Sequence, residues 1–142
     1  MASSGELYDA MTVERSKPVV GDEVNLEVTV TEEMLVDLGG RRIHPLYATA
    51  WMVRHMEETA RMLIEPHFAP GEDATGYSVT VTHERPARAG DRLTVTARVT
   101  AIDERECVAD VAVEGPGGRV GSGTVAQRYI QAGRFEQTKG ES

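Results

Sequence analysis

Apolar and polar residues alternate with a period of two over much of this chain, and that alternation sets its plan. In "EVNLEVTVT", Val24, Leu26, Val28 and Val30 alternate with Asn25, Glu27, Thr29 and Thr31, the signature of a strand buried on one face. The same alternation predicts strands over roughly 77–83, 92–102, 105–114 and 119–130, with "ERPARAGD", "DERE" and "GPGG" as the reversals between them. After the first strand comes a turn-rich connector, "GGRRIHP". Residues 48–65 ("ATAWMVRHMEETARMLIE") then hold neither Gly nor Pro and stop at Pro66, which predicts a helix, and residues 66–76 read as a loop. Strand, helix, four-strand meander is an α+β plan, in which an antiparallel sheet of about five strands curls round one long helix to cover its apolar stripe.

The helix carries an anomaly. At 100° per residue, Met52, Leu63, Met56, Ala60, Val53 and Ile64 form one stripe, and Thr49 and Glu57 lie on it too. The opposite arc, which includes Trp51, Arg54, His55, Thr59 and Arg61, predicts a solvated or interface face. Taken singly, each polar residue has an ordinary role. Glu57 would pair with Arg61 four residues on, and Thr49 would cap the helix start. His83, in phase with Tyr77, Val79 and Val81, would be a hydrogen-bonded core histidine. Together they place a carboxylate, a hydroxyl and an imidazole on one helix-sheet seam, a standard way to tune a base or a nucleophile. Thr49 and Glu57 are eight residues apart, about 12 Å along a helix, so a substrate or a partner subunit must span them.

Composition narrows the field. The 142 residues, 40% of them hydrophobic, suffice for a single domain (1–142) with a real core and fraying ends at about 1–18 and 132–142. No run approaches the ~20 apolar residues of a membrane span, and the polar start "MASSGE" lacks the features of a signal peptide, so a cytoplasmic protein without membrane contact is expected. A net charge of -8 argues against nucleic-acid binding, and any anionic ligand needs a local basic patch. The lone Cys107, in phase with Ala109, Val111 and Val113, reads as a core residue. His44, His55 and His67 have no metal-ligand spacing, so no metal is expected. "GPGGRVGSG" lies between strands, which makes it a hairpin followed by a glycine-containing strand and not a phosphate loop.

The segment "YATAWMVRHMEETARMLIEPHFAPGEDATGYSVTVTH" and the ending "GSGTVAQRYI" resemble the hotdog-fold acyl-CoA thioesterases, most closely the fluoroacetyl-CoA thioesterase type, over about 25–130. That type places a catalytic threonine at the helix start, a glutamate eight positions on, and a histidine seven positions after a substrate-contacting glycine. Thr49, Glu57, His83 and Gly76 match with both spacings intact. The resemblance implies a hotdog fold, a homodimer with the site at the subunit seam, and hydrolysis of a small acyl-CoA with no cofactor, coenzyme A being part of the substrate. Glu57 would act as nucleophile or as base on water, His83 would transfer protons, Thr49 would orient the reacting groups, and the Gly76 N–H would support the oxyanion. Arg88 and Arg85 would meet the coenzyme A phosphates. Tyr47 with Met52, Val53 and Met56 would form an acyl pocket, and Met34, Leu35, Leu38 and Tyr47 a cover. The lid segment "TEEMLVDLGGRRIHPLYAT" has no phenylalanine, where the fluoroacetyl enzymes have aromatic lid residues. A hotdog hydratase or dehydratase, or a non-catalytic acyl-CoA binding module, are the alternatives on the same fold.

Overall fold

The computed structural model describes residues 17–136. Its elements are β1 (Glu23–Thr29), β2 (Leu35–Leu38), β3 (Arg41–Tyr47), α1 (Thr49–Ile64), β4 (Glu72–His83), β5 (Arg92–Ile102), β6 (Glu106–Gly115) and β7 (Gly118–Gln131). Five strands form one antiparallel sheet in the order β1-β5-β6-β7-β4, and β2 and β3 pair separately as a hairpin. The expected plan of one long helix against a five-strand antiparallel sheet holds. The fraying expected of the termini falls mostly on residues 1–16 and 137–142, outside the described ones.

Alternation explains the packing. Leu93, Val95, Ala97 and Val99 of β5 and Cys107, Ala109, Val111 and Val113 of β6 point inward onto Met52, Met56, Ala60 and Ile64 of α1. Burying each large side chain is worth about 1.5–3 kcal/mol. The outer face stays polar, where Thr94 and Thr96 donate to the Glu27 and Asn25 side chains across the β1–β5 pair. Cys107 is 1% exposed, and burial pushes its thiol up to about 11, the character of an inert core residue.

The glycines of β7 set the helix-sheet distance. A methyl group on Gly121 would lie 2.6 Å from Met52 Sδ, and one on Gly123 would run into the Thr80 carbonyl and Met56 Cε. Met52 and Met56 therefore sit directly on the β7 backbone, completely buried. They belong to the core and cannot line the acyl pocket that the sequence suggested.

The structure corrects the sequence in three further places. The connector after β1 is a hairpin, closed at Gly39 and Gly40, whose φ values of 60° and 78° fit a type I′ turn. The buried arc of α1 also takes in His55 (5% exposed) and Thr59 (0%), which the wheel assigned to the outer face, while Thr49 and Glu57 are exposed. Finally, β4 begins at Glu72 instead of 77 and carries a bulge: Gly76 pairs with Gln127 and Ser78 with Ala126, leaving Tyr77 extra. The bulge reverses the phase, so Tyr77 turns outward (60% exposed) and Gly76 joins Val79 and Val81 on the helix face.

Candidate functional site

Two open clefts flank α1 where it meets β4, the edge strand. The first, about 310 Å³, lies at the helix start and is lined by Tyr47, Thr49, His83 and Arg85 among others. Ala48 is the N-cap and has no capping side-chain bond, so Thr49 is not the cap. Its Oγ1 instead lies 2.9 Å from Nδ1 of His83. Burial lowers the His83 pKa, and the Arg85 backbone opposes this in part. The imidazole is therefore neutral near pH 7, able to accept a proton. Its Nε2 is buried and has no hydrogen-bond partner among the described residues.

The second cleft, about 390 Å³, lies further along α1 and is lined by Glu57, Arg61, Met62, Gly76, Val125 and Gln127 among others. Glu57 does not pair with Arg61. That guanidinium is held by Asp73 Oδ1 and the Ala74 carbonyl, both at 2.9 Å, and by Glu65. Among the described residues no cation lies within ion-pairing distance of Glu57. Its Oε2 rests against Gly76, where a methyl group would lie 2.9 Å away. Only the missing side chain of Gly76 allows this approach. Replacing Gly76 by Ala should push the flexible Glu57 carboxylate aside and cut turnover at least tenfold while leaving the melting temperature within about 2 °C of native; steady-state kinetics and a thermal melt check both.

The chain thus joins its candidate residues in two pairs, Thr49 with His83 and Glu57 with Gly76. It does not bring the pairs together. Gly76 and His83 lie seven positions apart along β4, about 20 Å. Tyr47 is 1% exposed and its ring forms part of the first cleft's wall. Arg88 lines neither cleft; its backbone N–H bonds Asp91 Oδ2 in the β4–β5 turn, and Arg85 is the arginine at the first cleft. Of the suggested cover, Leu35 and Tyr47 are core residues and Leu38 is 64% exposed on the hairpin, where Leu35 and Leu38 line a further cleft together with Thr49. Sequence reasoning missed Gln127, a buried side chain in the second cleft, and His55, whose Nδ1 lies 2.6 Å from the Tyr47 hydroxyl. The alternation of β7, which puts Gln127 in phase with Val125, was the available signal for the first. Among the described residues no cluster of three or more metal-ligating side chains occurs, and no helix is long and apolar enough to cross a membrane.

Comparison with known proteins gives the family. A hypothetical protein of Thermus thermophilus, described as a thioesterase superfamily member, superposes with a TM-score of 0.81 at 32% identity, covering 87% of this chain and 91% of the other. The fluoroacetyl-CoA thioesterase FlK shares the fold, with a TM-score of 0.80 at 24% identity over 87% and 96% of the two chains. The fluoroacetyl-CoA thioesterase of Streptantibioticus cattleyicolor is 30% identical over 90 residues, 63% of this chain and 65% of the relative, so the match spans a little less than two thirds of that relative's length. The profile of the FlK family, fluoroacetyl-CoA-specific thioesterase, matches residues 30–132, a stretch that contains both clefts. With its helix, its five-strand sheet and that match over most of its length, this chain belongs to the FlK family of hotdog-fold proteins.

Proposed function

We propose that the chain hydrolyses acyl-CoA thioesters as a homodimer, at sites that each combine Thr49 and His83 of one subunit with Glu57 and Gly76 of the other. The observation that carries the reading is Glu57, a carboxylate without a cationic partner among the described residues, set against a bare backbone at an open cleft. Family membership supplies the reaction class. The dimer rests on β4, a 12-residue strand whose outer edge no other described strand pairs. A two-fold axis at Thr80 would set Val79 opposite the partner's Val81 and, because the bulge absorbs one residue, Gly76 of the partner subunit opposite His83. The two half-sites would then close into one.

In that site water adds to the acyl carbonyl carbon and the carbon–sulfur bond breaks, giving a carboxylic acid and the thiol. Glu57 attacks the carbon to form an anhydride that water then opens, or takes the proton of the attacking water. The neutral His83 carries a proton between water and the departing sulfur, with Thr49 fixing its Nδ1. The Gly76 N–H faces the developing oxyanion. Arg85 is the nearer cation for the coenzyme A phosphates. No cofactor enters, and a coenzyme A substrate suits a cytoplasmic protein. The chain's two phenylalanines, Phe68 and Phe135, both lie outside the hairpin, so no aromatic lid of that kind selects fluorine.

Mixing variants tests the arrangement. Thr49→Ala and Glu57→Gln proteins, each inactive, are unfolded and refolded together. Half the dimers are then hybrids with one intact site of two, so about a quarter of native activity should return. No recovery, with hybrids present, would contradict a shared site.

A further inference from the structure

We propose that Tyr47 is a positioning residue that holds the His83 imidazole in its working orientation, and that His55 anchors it there. The proposal rests on the thioesterase reading for the role of His83, but its geometry stands alone.

Beside the influence of the Arg85 backbone, His83 has one side-chain hydrogen bond, between Nδ1 and Thr49 Oγ1, and its Nε2 has no partner among the described residues. One side-chain bond leaves an imidazole room to tilt, and packing limits that tilt. The wall against it is Tyr47, perpendicular at 75° with centroids 6.0 Å apart. Tyr47 is in turn fixed at both ends. Its backbone N–H donates to the Ala87 carbonyl at 2.8 Å, tying β3 to the segment just past His83. Its hydroxyl lies 2.6 Å from Nδ1 of His55, inside the core, with the two rings nearly parallel at 11°. Trp51 packs against His55 at 5.7 Å. Burial lowers the pKa of His55 and raises that of Tyr47, so the imidazole stays neutral and the phenol protonated, and in the tautomer with its proton on Nε2 the hydroxyl donates to Nδ1.

A buried hydroxyl and imidazole cost desolvation that a phenylalanine and a leucine would not incur. What the polar pair adds is direction, because a hydrogen bond fixes the rotation of the Tyr47 ring and apolar contact does so only loosely. That ring is the surface on which His83 rests.

The test uses the whole protein and two readouts, steady-state kinetics on an acyl-CoA and NMR titration of His83. His55→Leu leaves the Tyr47 hydroxyl buried without an acceptor and should turn the ring. We expect kcat to fall about tenfold with KM within twofold, and the His83 midpoint to move up towards that of an ordinary imidazole. Adding Tyr47→Phe removes the orphaned hydroxyl and should bring both readouts most of the way back. If His55→Leu alone does not fold, the apolar pairs Tyr47→Phe/His55→Leu and Tyr47→Leu/His55→Leu differ only in the ring, and the second should show the low kcat and the raised midpoint. Native kcat and an unmoved His83 midpoint in these variants, whatever their stability, would overturn the proposal and leave the pair as core packing. A loss confined to KM would overturn it too and make Tyr47 a substrate wall. Should the native protein release no thiol from any thioester, the functional reading fails while the His83 titration still decides this inference.

Discussion

Glu57→Gln should lower kcat for thioester hydrolysis by at least about 10²- to 10⁴-fold and leave the fold and the oligomeric state unchanged. The size of the effect follows from the site. The amide is nearly isosteric with the carboxylate, so it still fits against Gly76, but it can neither attack a carbonyl carbon nor take a proton from water. Glu57 is exposed and has no ion pair among the described residues, so its replacement costs the fold almost nothing. Kinetics beside a thermal melt would separate the two effects, and a near-native kcat in a folded Glu57→Gln variant would remove Glu57 from the chemistry.

The second large effect is on stability. Gly123→Ala places a methyl group into the Thr80 carbonyl of the neighbouring strand and against Met56 of α1. Neither obstacle is a free side-chain end. The carbonyl belongs to the β4–β7 ladder, and Met56 is completely buried. Relief requires the strands to part or the helix to lift, so a loss of about 3 kcal/mol or more is expected, the upper end of overpacking costs. A urea melt measures it; an unchanged midpoint would mean that the helix does not rest on the β7 backbone.

These two positions show what the sequence makes legible. Strands β5 and β6 are buried on one face, so their alternation reports them directly, while β7 buries Val125, Ala126 and Gln127 in succession and its "GSG", read as a glycine-containing strand, gives no hint that Met52 and Met56 rest on it. The four residues shared with the thioesterase pattern are visible as spacings, and the chain does pair them, Thr49 with His83 and Glu57 with Gly76. What stays hidden depends on chain placement and not on composition. A bulge adds one residue without changing the pattern, so Tyr77 reads as inward and Gly76 as loop. A helical wheel gives angles but not where the covering layer ends, which is why it sets His55 outward and Thr49 and Glu57 under cover. The β2–β3 hairpin reads as a connector because its strands are short and only a two-glycine turn marks it.

The measurement that bears most directly on the account is thiol release by the native protein from acetyl-, fluoroacetyl-, propionyl-, a longer-chain and an aromatic acyl-CoA, with the consumption of thioester followed in the same samples. The account predicts one free thiol for each thioester consumed, with turnover of at least one short acyl group. Thioester consumed without thiol, as in hydration, or bound tightly and returned intact, would contradict it.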